Sequence, residues 1–242
     1  MKSLRKKLHY KQINSTTTFL KCSRHLYRNF TFVSADYQTD GHGRFNRAWH
    51  SNKGENLLFS LLINDKELLD KYSSLSICSA VSVFKMLKKL GVKGISIKWP
   101  NDVYVFDKKI CGILLEGCST NGQITDIIIG IGINVNQTDF AGDYNTTPTS
   151  IAVELGKKIN LSKLKRKIYS QLKKDFKAIK SNNDYLEIAR QNNYLKEKQV
   201  FAEINGKKSP IKVVDIADDN SLVCNINGNI KNIFAGEITF HL

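Results

Sequence analysis

Apolar positions along this chain change their period several times, and each change marks an element. Residues 30–37 alternate and are rich in β-branched and aromatic side chains, the pattern of a strand. Residues 56–63 are apolar almost throughout, which predicts a buried strand. A helical period follows over 66–90, where Leu69, Tyr72, Leu75, Cys78, Val81, Phe84, Leu87 and Leu90 form a wide apolar stripe. Gly91 and Gly94 end that helix. Shorter strands are predicted at 9–13, 95–98 and 103–106, with Pro100 turning the chain between the last two. Residues 109–118 and 123–135 pair around a Thr120-Asn121-Gly122 turn.

Between the first two strands, residues 15–25 read as a helix opened by hydroxyl residues, with N-capping as their local role. Residues 137–148 are a polar loop, and Thr149 is expected to cap a short helix over 150–155. A longer helix over 161–179 carries apolar residues at 161, 164, 168, 172, 176 and 179, and another helical piece covers 185–192. From residue 199 the period becomes that of short strands with Asn205-Gly206 and Asn227-Gly228 turns, which predicts a small β-barrel-like unit. The fold expected is α+β, a mixed sheet with helices packed on it over 1–195 and a second domain over 196–242.

Composition narrows the function. With 242 residues, 41% of them hydrophobic, the chain can bury a substantial core. Neither an N-terminal apolar leader nor an apolar run near the ~20 residues of a membrane span is present, so a soluble, cytoplasmic protein is expected. Five cysteines (Cys22, Cys78, Cys111, Cys118, Cys224) are scattered without Cys-x-x-Cys spacing, which indicates neither a disulfide framework nor a zinc site. Cys111 and Cys118 are assigned to packing. The net charge of +15 raises a nucleic-acid reading. Much of the excess, however, is lysine along helix faces (Lys163, Lys165, Lys167, Lys173, Lys174, Lys177, Lys180) without interleaved aromatics, and an acidic partner or anionic substrates account for it as readily.

Three stretches carry chemistry. In Gly41-His42-Gly43-Arg44-Phe45-Asn46-Arg47-Ala48-Trp49, the glycines let backbone approach a ligand while Arg44 and Arg47 offer paired donors to a carboxylate or phosphate. A surface turn is the plain alternative. In Lys98-Trp99-Pro100-Asn101-Asp102, a lysine at a strand end either reaches solvent or is held for an anion, and Asn101 and Asp102 either shape the turn or lie near a nucleotide. In Gly130-Ile131-Gly132-Ile133-Asn134, the Gly-x-Gly lacks the following helix of a Rossmann site. No Gly-x-x-x-x-Gly-Lys-Ser/Thr occurs, which disfavours a P-loop kinase.

In this order, the three stretches resemble the biotin protein ligase family, and the likeness runs from about Ser15 to Glu237. The resemblance implies a catalytic domain of class II aminoacyl-tRNA-synthetase-like fold and an SH3-like C-terminal domain, whose signature Gly236-Glu237-Ile238 matches. It implies the short form, without the DNA-binding domain of some members, so DNA binding is not expected. The implied activity is ATP-dependent ligation of biotin to a lysine of a biotin carboxyl carrier protein, an acetyl-CoA carboxylase subunit, through biotinyl-5′-AMP, with Mg²⁺ held largely by the phosphates. Carried over by the resemblance, biotin falls to Ser15, Thr16, Thr17, Gln38, Gly41, His42, Gly43, Arg44, Lys98 and Gly112. Nucleotide contacts fall to Arg44, Arg47, Trp49, Asn101, Gly132 and Asn134, and catalysis to Lys98, Arg44 and Arg47. No residue is assigned as a metal ligand.

Two positions depart from the family pattern. Thr17 stands where an asparagine is usual and His42 where an arginine is usual. A lipoate ligase of the same superfamily and a basic nucleic-acid-binding protein are the alternative readings, and a homodimer is left open.

Overall fold

The computed structural model describes residues 7–140, 142, 144, 146–182, 184–204, 207–234 and 238–241. A seven-stranded sheet is built from β1 (Lys7–Tyr10), β2 (Thr31–Ala35), β3 (Leu57–Ile63), β4 (Ile95–Lys98), β5 (Asp102–Val105), β6 (Lys108–Thr120) and β7 (Gln123–Ile133). Its order is β1-β2-β3-β7-β6-β5-β4, with β1 parallel to β2 and every other pair antiparallel. The β6–β7 hairpin turns through Asn121 and Gly122, both at positive φ (51° and 78°), as the sequence led us to expect.

Period-two alternation sends the sheet's side chains into two layers. Phe32, Leu61, Ile127 and Ile129 join one core with α3 (Tyr72–Leu90), α5 (Leu161–Ala178) and α6 (Asp184–Gln191). Val33, Leu62 and Ile128 point the other way and pack against Leu20 of α1 (Thr16–Ser23). Ser15 caps α1, accepting from Thr18 N–H at 3.3 Å.

The helix expected over 66–90 is two helices. Asp65 caps α2 (Lys66–Leu69), the chain turns at Asp70 and Lys71, and α3 begins at Tyr72. The break puts Leu68 in the core with Leu69 half-buried against it and leaves Tyr72 38% exposed, so of the stripe's first two members only Tyr72 leaves the core. Gly91, at φ 89°, terminates α3 as expected. Ser150, not Thr149, caps α4 (Ile151–Leu155), accepting from Val153 N–H, while Thr149 Oγ1 donates to Glu154.

The C-terminal sheet comprises β8 (Gln199–Ile204), β9 (Lys207–Ile216), β10 (Leu222–Ile226), β11 (Asn229–Ile233) and β12 (Ile238–His241), all antiparallel in the order β11-β10-β9-β8-β12. This small sheet is the SH3-like unit expected. The Asn227-Gly228 turn has both residues at positive φ. Asn205-Gly206 and Gly236-Glu237 lie outside the described residues. Val200, Ala202, Ile211 and Val213 belong to the same apolar cluster as α3 and the large sheet, so one core spans both sheets. Cys111 and Cys118 are buried, in packing roles. No described helix is long and apolar enough to cross a membrane.

Candidate active site

The site begins with a run of missing side chains. On the face that carries α1, β3 presents Leu62, Ser60 and Leu58, and β7 presents Ile128, Gly130 and Gly132. The eight-residue α1 covers the apolar end of these rows. Further along, the glycines leave a hollow with Gly112 of β6 paired across from Gly132. The Gly130–Gly132 segment is therefore both strand, as its period predicts, and cavity floor.

The hollow is part of a cavity of about 810 Å³. Every residue assigned to ligand contact from the sequence lines it except Gly41, which lines a neighbouring cavity. A Cβ at Gly41 would lie 2.9 Å from Gln38 Nε2, so its glycine identity follows from close packing against a cavity residue.

At one end of the cavity the polar groups are neutral and bonded to one another. Gln38 Oε1 accepts from Thr16 N–H at 2.7 Å and from Thr16 Oγ1 at 2.9 Å. Ser60 Oγ lies 2.8 Å from Thr16 Oγ1 and 2.9 Å from Thr17 Oγ1. Ser60 is fully buried and was missed in the sequence, although a single hydroxyl in the apolar run 56–63 was its visible signal. Thr17 Oγ1 occupies the space above Gly130, only 2.6 Å from where a Cβ there would stand.

The other end is cationic. The 41–49 loop folds back on itself, Gly43 N–H donating to Arg47 O and Trp49 N–H to Gly41 O, each at 2.8 Å, with Phe45 at the tip in the left-handed region (φ 57°). Arg44 Nη1 reaches Asn101 Oδ1 at 3.4 Å, which ties this loop to the Lys98–Asp102 turn. Asn101 also donates from Nδ2 to Ile113 O at 2.7 Å, so it both shapes the turn and faces the cavity.

Lys98 Nζ is 3.3 Å from Tyr104 Oη and 5.3 Å from the centre of its ring. Burial, reinforced by Lys109, Arg47 and Lys198 and opposed by Asp102, lowers its pKa from 10.5 to about 8. Burial likewise lowers the pKa of Arg44, against the pull of Asp102.

Lys109 is a second cation that sequence reading missed, having placed it only as the start of a strand. Its Nζ is 2.7 Å from Asp102 Oδ2, and its chain reaches within 3.4 Å of where a Gly112 Cβ would be. Asp102 is the single carboxylate among the described lining residues, against Arg44, Arg47, Lys98 and Lys109.

Trp49 lies over the Gly112–Gly132 pair: a Cβ would meet its ring at 2.7 Å from Gly112 and 2.6 Å from Gly132. Its Nε1 and Asn134 Oδ1 are buried without a partner among the described residues, one donor and one acceptor left for a ligand. Asn134 is oriented by its Nδ2 donating to Thr149 O at 3.0 Å.

The open face of the mixed sheet thus joins neutral hydrogen-bonding side chains and a set of cations in one cavity. The sequence model of the Biotin/lipoate A/B protein ligase family matches residues 9–134, more than half of the chain, and the chain belongs to that family. It is 39% identical over 132 residues to the bifunctional ligase/repressor BirA of Bacillus subtilis, and 30% identical over 130 residues to the biotin–[acetyl-CoA-carboxylase] ligase of Paracoccus denitrificans. These matches cover 54% and 52% of this chain, and 41% and 54% of those proteins. The fold matches that of a biotin protein ligase from Aquifex aeolicus in complex with biotin and ATP, at a TM-score of 0.87 and 27% identity over 98% of this chain and 99% of that one.

Proposed function

We propose that this chain ligates biotin to a lysine of a biotin carboxyl carrier protein through biotinyl-5′-AMP, the carrier being the one that serves acetyl-CoA carboxylase. The observation that carries the reading is that Thr16, Thr17 and Gln38 share one cavity with Arg44, Lys98 and Lys109. A cyclic urea presents N–H donors and a carbonyl acceptor, which the neutral end matches by exchanging its internal hydrogen bonds for ligand ones. A dithiolane ring offers neither, so lipoate would leave that buried polar row without return, which disfavours the lipoate reading.

Activation is needed because a carboxylate does not acylate an amine, and both ATP and the acid bring negative charge to the point of reaction. The biotin carboxylate attacks the α-phosphorus, forming the mixed anhydride and releasing pyrophosphate. The carrier's neutral amine then attacks the acyl carbon, AMP leaves with the anhydride electrons, and the nitrogen gives up a proton to leave an amide. Arg44, Arg47, Lys98 and Lys109 orient the two anions and stabilise the charge that accumulates as they meet. Trp49 and Asn134 supply the nucleotide end, with the buried Asn134 Oδ1 as acceptor for an amino group.

A magnesium ion that rides on phosphates needs only one or two protein oxygens. No group of three ligating side chains occurs among the described residues, and the buried, unpartnered Oδ1 of Asp102 is the oxygen that fits it. There it would neutralise phosphate charge.

Mass spectrometry of a carrier domain incubated with the protein, ATP and biotin is expected to show one biotinyl addition at a lysine. A lipoyl addition in the parallel lipoate arm, or no addition in either, overturns the proposal.

A further inference from the structure

We infer that Asn220, at the tip of the β9–β10 turn, is a positioning residue for the Lys98–Asp102 turn, making the C-terminal sheet a working part of the adenylation site. The inference rests on the function proposed above and deepens it.

Asn220 belongs to the C-terminal sheet's turn, yet it is only 8% exposed because it is inserted between elements of the catalytic region. Its Nδ2 donates to Ser74 Oγ of α3 at 3.2 Å, and its Oδ1 accepts from Tyr185 Oη of α6 at 2.7 Å. Its backbone carbonyl accepts from Trp99 Nε1 at 2.9 Å. Two residues along α3, Ser76 Oγ donates to Pro100 O at 3.0 Å. The two residues between Lys98 and Asn101 are thus each held by a hydrogen bond from outside the turn.

The residue type fits the task. Asn220 sits at φ 71°, a conformation open to asparagine and glycine at little cost. A glycine would make the turn equally well but could not span from α3 to α6. Adhesion alone does not account for the arrangement, because the apolar core already joins the two sheets through Val200, Ala202, Ile211 and Val213. The third bond instead goes to the indole directly following Lys98. That indole is 2% exposed and lines the cavity, so a shift of the C-terminal tip moves the cavity wall and the lysine beside it.

Asn220→Gly keeps the turn's backbone and deletes both side-chain bonds, and Trp99→Phe deletes the third bond from the other side. Adenylate formation, followed by ATP- and biotin-dependent pyrophosphate release, is measured for each single variant and the double. The indole ¹H–¹⁵N resonances are recorded in parallel. The chain has two tryptophans, and the peak absent in Trp99→Phe identifies Trp99.

Asn220→Gly is expected to move the Trp99 resonance and lower kcat roughly tenfold, with KM for biotin changed less than about twofold. The double variant should be no slower than the slower single one, since the Asn220 side chain acts on the turn through the carbonyl that holds the Trp99 indole. Folded Asn220→Gly at the wild-type kcat, a change confined to biotin KM, or losses that multiply in the double variant would each overturn the inference. Should Asn220→Gly not fold, Tyr185→Phe, which removes one anchoring bond, is read in its place by the same criteria. A wild-type protein that makes no biotinyl adenylate defeats the proposed function instead, and the Trp99 resonance still decides whether the clasp exists.

Discussion

The two ends of the cavity solve opposite problems. At the neutral end, Thr16, Thr17, Gln38 and Ser60 satisfy one another, so few polar groups there lack a partner. At the cationic end, four basic side chains face one carboxylate, and burial weakens the protonation of both Lys98 and Arg44. The first end can be exchanged bond for bond with a ligand of matching donors and acceptors and therefore selects a molecule. The second holds repulsion that only incoming negative charge relieves. In the proposed adenylation its contribution would grow as charge gathers on the oxygens around phosphorus, which is the condition for accelerating a step rather than merely binding for it.

On this division the largest effects come from the charged end. Arg44→Ala and Lys98→Ala should each slow adenylate formation ~10²- to 10³-fold while the thermal midpoint stays near wild type. Stopped-flow or pyrophosphate-release assays at saturating biotin measure this, and wild-type turnover in either variant removes that side chain from the charged end.

The neutral end should respond differently. In Gly130→Ala the new methyl stands 2.6 Å from Thr17 Oγ1, so the hydroxyl must move and the neutral hydrogen-bonded row with it. We expect the KM for biotin to rise roughly tenfold with kcat nearly unchanged. A kcat loss at constant KM would dissolve the division between the ends.

The smallest effect is in pH. Lys98 loses its proton near pH 8, so kcat/KM for adenylation should fall about threefold between about pH 7.5 and 8.5. Stability runs the other way. With the folded pKa near 8 and the ordinary value at 10.5, the unfolded chain binds more protons across that window. This group therefore adds stability as pH rises from about 8 to 10.5, and its burial penalty is fully present below 8. Denaturant titrations of wild type and Lys98→Met should differ in slope over this window, and parallel curves would reject the lowered pKa.

Much of this was legible before the fold was known. The glycine-arginine loop and Lys98 stood out as residue types that serve anions; the fifteen ligand residues came from the family resemblance, and fourteen of them line the cavity. Ser15 also fills the capping role read from local chemistry. What was misread depended on backbone geometry that residue spacing does not carry. Tyr72 fits the apolar stripe by spacing, but the chain turns at Asp70–Lys71 and leaves it substantially exposed. Thr149 and Ser150 are equally plausible caps, and only the backbone of α4 chooses Ser150.

The amino-acid order by itself determined the strand and helix periods, the glycine positions and the supply of cations, because these follow from side-chain geometry within a few residues. It could not determine that Gly112 and Gly132 would face each other beneath Trp49, that Ser60 would join two threonines, or that Lys109 would meet Asp102. Nor could it place Asn220 against Trp99, more than a hundred residues away. Those pairings depend on strand register and on how one continuous core closes across both sheets, and that choice is made by packing energy summed over the whole chain, which no local window contains.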